Sequence, residues 1–290
     1  MMDNILEVKD LTKRYDGFCL DRVSFSLPSG SIMGLIGENG AGKTTAIKAI
    51  LGLISSDEGS VKIFGTDCKT NEKLIKSQIG VVFDECNFHQ YMNADKVSKV
   101  MKNLHPDWDD ALFRKYLKGF DVSESKIVKE MSRGMKVKFS IAAALAHKPK
   151  LLILDESTSG LDPISRDEIL DIFLEFIQNE DHSILVSSHI TSDLDKIADY
   201  ITFIHNGKVA LSKSKDELIY SYGIIKCKSS QFDKVDKNDI IAYIKKDFGC
   251  EILVKDKEKI ISKYKDFVVD GVNIEDIMLF YARGEVLCTD

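Results

Sequence analysis

Hydrophobic and polar positions alternate from Ile5 to Tyr15 and from Leu20 to Leu27, with Val23, Phe25 and Leu27 on one side of the second run. A period of two predicts antiparallel strands burying one face, and Asp16-Gly17 between the runs is a turn signal. Three other runs do not alternate: Ser31–Ile36 (SIMGLI), Leu151–Asp155 (LLILD) and Ser183–Ser188 (SILVSS). Continuous apolar runs of this length mark strands covered on both faces, as in a parallel sheet. Gly59–Gly65 and Ile79–Phe83 read as further short strands, and Lys43–Leu53 as a helix. Residues 86–130 are more polar, with helical periodicity over Lys96–Leu104 and Asp109–Leu117; they predict an inserted helical lobe with Trp108 as its core anchor and Asp107 as a helix cap. Met135, Phe139, Ala142, Ala143 and Ala146 then form one face of a helix capped by Ser132. Another helix opens at Asp162-Pro163 and carries Ile169, Ile172, Phe173 and Phe176.

After residue 220 the pattern is weaker. Cys250–Val254 and Phe267–Val269 fit short strands, and Ile274, Ile277, Met278 and Tyr281 fit an amphipathic helix stopped by Gly284. The expected division is a large α/β domain over residues 1–220 and a small α+β accessory region over 221–290, structural, regulatory or dimerising in role.

Composition narrows the classes. Of 290 residues 44% are hydrophobic and 30% charged, an ordinary globular balance. No apolar run approaches the roughly 20 residues that cross a bilayer, and no signal-peptide core opens the chain. The net charge of −6 argues against general nucleic-acid binding. Six scattered cysteines, at 19, 68, 86, 227, 250 and 288, form no C-x-x-C pair, which argues against a zinc site or a disulfide framework and for a reducing compartment.

The candidate chemistry centres on Gly37-Glu38-Asn39-Gly40-Ala41-Gly42-Lys43-Thr44, followed by Thr45. This is G-x-x-x-x-G-K-[ST] between a strand and a helix, the pattern of a phosphate-binding loop. Glycines let successive N–H groups curl around a polyphosphate, Lys43 adds a point charge, and the Thr44 hydroxyl is placed for Mg2+. Asp155 and Glu156 end a buried strand, where ligands of parallel sheets bind; one acid there can hold Mg2+ through water and the next can orient an attacking water. His189 ends another such strand, a candidate phosphate contact. Tyr15 stands before the loop either to stack on a base or to pack a strand edge.

Taken together, these motifs resemble the ATP-binding subunit of an ABC transporter, over roughly residues 3–220. Gly37–Thr45 resembles the Walker A loop, Leu151–Glu156 the Walker B strand with its glutamate, Ser159–Asp162 the D-loop, His189 the switch histidine, and Met131–Met135 (MSRGM) occupies the place of the signature LSGGQ. The resemblance implies a P-loop fold with a mostly parallel sheet, an antiparallel β subdomain and a helical lobe. It implies ATP bound through Tyr15 and Gly37–Thr45, Mg2+ held by Thr44 and Asp155, Glu156 and His189 in catalysis, and Ser132 with Gly134 acting on the nucleotide of a second ATP-binding subunit. A transmembrane permease would be the other partner, the lobe its docking surface, and the inner face of the cell membrane the place of work. Three departures stand out. Only Ser132 and Gly134 of the signature's core remain, with Arg133 where glycine is usual; Asp84 replaces the glutamine that contacts Mg2+, as a carboxylate that can still reach the ion and so a third candidate metal ligand; Ser157 replaces a proline. These resemble the bacterial exporters of peptides, lipids or antibiotics that have separately encoded permeases. The alternative is an ABC-type ATPase acting on ribosomes or DNA. Those relatives usually carry two cassettes, long coiled coils or zinc modules, and none is visible here.

Overall fold

The computed structural model describes residues 3–287; Cys288 lies outside them. The chain opens with β1 (Asn4–Tyr15), β2 (Phe18–Pro28) and β3 (Ile32–Ile36), continues through α1 (Lys43–Ile50), β4 (Glu58–Ile63), β5 (Thr66–Asp67) and α2 (Glu72–Ser77), and reaches β6 (Ile79–Val82). The lobe follows with α3 (Ala94–Leu104) and α4 (Asp110–Gly119), then α5 (Arg133–Leu145), β7 (Leu151–Asp155), α6 (Pro163–Phe176), β8 (Ser183–Ser188), α7 (Thr191–Ile197), β9 (Tyr200–His205) and β10 (Lys208–Ser214). The last stretch holds α8 (Lys215–Ser221), β11 (Gly223–Cys227), β12 (Ile240–Lys246), β13 (Gly249–Val254), α9 (Lys257–Lys263), β14 (Val268–Asp270), α10 (Ile274–Arg283) and β15 (Glu285–Val286).

Three sheets result. The alternating N-terminal runs make an antiparallel sheet in the order β2-β1-β4-β5, and the continuous runs make a six-stranded sheet, β10-β9-β3-β8-β7-β6, parallel except for β10. Neighbouring residues of these runs enter different cores. Met33 and Leu35 of β3, with Leu151 and Ile153 of β7, pack toward α1 and the antiparallel sheet; Ile32, Ile36, Leu152 and Leu154 pack toward the helices on the other face. A strand covered on both sides needs apolar side chains at every position, hence the loss of alternation.

The lobe is built around aromatic rings. Trp108 is buried and tilted on Phe113 at 5.1 Å between centroids; Phe113 in turn meets Phe139 of α5 edge-on at 5.6 Å. The Trp108 indole N–H donates to Ser98 Oγ at 3.1 Å, so the ring is anchored as well as buried. The lobe's core therefore continues past residue 130 into α5. The expected cap is corrected: Asp109, not Asp107, accepts from the Leu112 N–H at 3.0 Å and opens α4.

The C-terminal residues form a third sheet, antiparallel in the order β14-β11-β13-β12-β15. Ile277 and Phe280 of α10 join the main core, and Tyr281 packs against Phe203 of β9. Gly284 does end α10, but at φ −76°, outside the left-handed region. A Cβ at Gly284 would lie 2.4 Å from Phe280 O, so close approach selects the glycine.

Candidate nucleotide site

Parallel pairing of β3, β8, β7 and β6 brings their carboxyl ends to one edge of the sheet. Gly37–Thr45 leaves β3 at that edge. A Cβ on Gly37 would fall 2.4 Å from Ile204 O, and Gly42 holds φ 115° while Phe18 and Leu20 press against it. Gly42 is also the N-cap of α1 and supplies no side-chain cap, so the helix's N-terminal amides face the loop. Glu38, Asn39 and Gly40 are exposed at the rim, Ala41 and Gly42 are buried, Thr44 is exposed on the first turn and Thr45 half-buried.

Lys43 is 5% exposed, and its ammonium folds back across the loop, donating to Gly37 O at 2.8 Å and Glu38 O at 3.3 Å. It also lies 3.1 Å from Glu156 Oε1. That oxygen is buried and makes no hydrogen bond, so the contact is an ion pair by distance alone. The other carboxylate oxygen, Oε2, sits 2.5 Å from His189 Nδ1. Glu156 thus stands between the loop's lysine and the imidazole, one oxygen toward each.

Glu156 holds φ 52°, a conformation that costs a non-glycine residue roughly 1 kcal/mol or more. Ser187 on β8 keeps it there. The Glu156 N–H reaches Ser187 Oγ at 3.0 Å and Ser187 O at 3.2 Å, while Ser187 Oγ donates to Asp155 Oδ1 at 2.6 Å. One fully buried hydroxyl therefore orients both acids. The one sequence signal for this role is a serine at the carboxyl end of an apolar strand.

Tyr15 ends β1 opposite Phe18, the ring that presses on Gly42, and is 48% exposed. Its ring is available to a ligand at the loop, with Lys13 Nζ 5.5 Å from its centroid. Ser132 caps α5, accepting from the Met135 N–H at 3.3 Å. Ser132 and Gly134 line another recess with Gly160, Leu161 and Asp162, and no Walker A residue borders it. Asp162 caps α6, and the Ser165 N–H it accepts holds its carboxyl below the usual range. Asp84 follows β6 at the same edge as Asp155, but its carboxylate meets Arg133 Nη2 at 2.5 Å.

The residues fit a metal–phosphate ligand. A buried carboxylate at Asp155 and an exposed hydroxyl at Thr44 are hard oxygen donors of the kind Mg2+ takes. Among the described residues no cluster of three or more His, Cys, Asp or Glu side chains forms a protein-only metal cage. Mg2+ is usually held by few protein groups together with substrate phosphates.

A strand–loop–helix phosphate site beside a Walker B carboxylate, on a core carrying a helical lobe, defines an ATP-binding cassette. Residues 20–159 match the ABC transporter family. The chain is 31% identical to the bacitracin transport ATP-binding protein BcrA of Bacillus licheniformis, across 96% of this chain and 94% of that one. It is 35% identical to the lantibiotic transport ATP-binding protein SrtF of Streptococcus pyogenes, across 73% of this chain and 92% of that one. A solved structure of an ATP-binding subunit of an ABC transporter superposes with TM-score 0.65 at 28% identity, covering 74% of this chain and 91% of that one. The chain belongs to the ABC transporter family as an ATP-binding, ATP-hydrolysing subunit.

Proposed function

We propose that this subunit powers export of a peptide antibiotic or a related amphipathic compound by a separate permease. The observation that carries the catalytic half of this reading is Glu156 held between Lys43 and His189 at the mouth of the phosphate loop. ATP would lie with its base on Tyr15 and its phosphates on the amides of Gly37–Thr45, drawing Lys43 from the Gly37 and Glu38 carbonyls. Thr44 and, through water, Asp155 would hold Mg2+, which supplies charge neutralisation between the phosphates. Glu156 would orient the attacking water and His189 the terminal phosphate.

Ser132 and Gly134 line a recess that no residue of their own chain's loop borders, which supports the reading that they act on the nucleotide of a second ATP-binding subunit, identical or different. Residues 1–220 would form the ATPase domain and 221–290 an accessory region. Among the described residues no helix is long and apolar enough to cross a membrane. A permease partner would supply the path, and the subunit would work at the inner face of the membrane. An apolar groove between core and lobe, lined by Phe83, Phe88, Met101, His105 and His147, suits a short helix of that permease. The names of the relatives, bacitracin and lantibiotic transport proteins, support the substrate class. Affinity purification from gently solubilised membranes tests the proposal. Recovery of a multi-spanning protein supports it, and recovery of ribosomes or DNA in its place overturns it.

A further inference from the structure

The cysteines are scattered in sequence, yet two meet in space. In the antiparallel pairing of β11 with β13, Cys227 stands directly opposite Cys250. Residues so paired point to the same face, with Cα atoms about 4.5 or 5.5 Å apart depending on the hydrogen-bond pattern. Both spacings fall within the roughly 4.4–6.8 Å that a disulfide spans. Both side chains are buried in one apolar cluster with Ile225, Ile252 and Tyr243. The strands are pressed together here, since a Cβ on Gly249 would lie 2.5 Å from Cys227 O. Burial pushes both thiols up, Cys250 as well as Cys227, so exchange runs through a small thiolate fraction. No other described cysteine faces a second one across a ladder.

We propose that Cys227 and Cys250 are a redox-active dithiol that closes to a disulfide and staples β11 to β13. The oxidant is a small disulfide such as glutathione disulfide. The thiolate of one cysteine attacks a glutathione sulfur, expelling one glutathione thiolate and leaving a mixed disulfide. The second cysteine's thiolate attacks the protein sulfur of that bond, expelling the other glutathione. Two protein thiols are oxidised, one glutathione disulfide is reduced to two thiols, and the two cysteine protons pass to them. Because Ile224 of β11 joins the core shared with α10 and β9, the staple fixes the sheet that holds α10 on the ATPase core.

The test uses the full chain in glutathione buffers of stepped ratio, acid-quenched, alkylated and mapped by mass spectrometry. The expected result is a linked Cys227–Cys250 peptide pair lighter by two hydrogens, appearing while Cys19, Cys68 and Cys86 carry at most single glutathiones. In Cys250→Ser, Cys227 should instead retain its glutathione, because nothing resolves the mixed disulfide. If Cys227 and Cys250 stay alkylatable while the other cysteines react, or each keeps its own glutathione in the unmodified sequence, the proposal is overturned. That mapping on the natural chain decides the matter even if the variant does not fold.

Discussion

Arg133 Nη2 lies 2.5 Å from Asp84 Oδ1, so two of the positions that depart from the family pattern face one another. The same guanidinium roofs the loop after β7, where a Cβ on Gly160 would meet Arg133 Nη1 at 2.9 Å. The charge added at Asp84 is thus neutralised by the charge added in the signature, and the two changes form a pair.

That pairing predicts compensation. Both side chains are about half exposed, so the pair is worth at most about 1 kcal/mol, or roughly fivefold in a rate or equilibrium. Arg133→Gly and Asp84→Gln should each lower ATP turnover by up to about that factor. The double variant, which restores both usual residues, should do better than the product of the two losses. A double-mutant cycle on steady-state turnover reads the coupling. Strictly additive losses would show that the two positions act independently.

Glu156 is the carboxylate between the lysine and the imidazole. Glu156→Gln keeps its shape and hydrogen-bonding reach but removes the charge. It should bind ATP and slow hydrolysis by about a hundredfold or more. It should also accumulate as an ATP-dependent dimer by size-exclusion chromatography. Unchanged turnover would remove Glu156 from catalysis.

Ser187 acts through Asp155 and Glu156. In Ser187→Ala the Asp155 carboxylate loses a 2.6 Å donor and the Glu156 N–H loses its shorter acceptor, both at a buried site. The expected cost is about 1–3 kcal/mol in urea unfolding, with kcat falling more than ATP affinity. Ser187→Thr keeps the hydroxyl and should recover most of kcat. A fall in stability with kcat untouched would leave Ser187 a purely structural residue.

The strands and motifs of the ATPase core were legible because each rests on a local rule. Two-sided burial removes alternation from β3, β7 and β8, and a phosphate loop needs its glycines within eight positions. What escaped depends on pairing across long separations. Ser187 reaches back to Asp155 only because β8 lies beside β7. Arg133 meets Asp84 only because α5 crosses the loop after β6. Cys227 and Cys250 look unrelated until β11 and β13 pair. The strands β11 and β12 were also missed: Gly223–Cys227 is short, and Ile240–Tyr243 is buried at every position, which is ambiguous between helix and strand.

Ser132 both caps α5 and presents a hydroxyl to the recess beside Gly160. Ser132→Ala should lose about 1 kcal/mol of cap stability as well as ATP-dependent dimerisation. Ser132→Asn separates the roles, because asparagine caps equally well without the hydroxyl. It should match the natural chain in melting temperature, bind nucleotide normally as a monomer and still dimerise weakly with ATP. Normal dimerisation by Ser132→Asn would count against a role across the interface.

His147 gives the fold an acid limit. Its ring is buried, stacked on His105 with centroids 4.0 Å apart, and its Nε2 lies 3.1 Å from Ile79 O. Nδ1 is buried without a hydrogen bond, which suits the neutral tautomer that donates from Nε2. Burial, then the like charge of a protonated His105, lower the pKa from 6.5 to about 4; the Ile79 and Ala143 carbonyls and Asp107 oppose them only in part. The folded-state value lies below the unfolded one, so the folded chain resists a proton that the unfolded chain accepts. The contribution is complete above pH 6.5 and drains away as pH falls toward 4. At one pH unit per 1.36 kcal/mol, the loss by pH 5 is about 2 kcal/mol. Urea midpoints at pH 7.5 and pH 5 measure it: His147→Gln should lose about 2 kcal/mol less than the natural chain across that interval. Equal losses in the two proteins would assign the acid sensitivity to other groups.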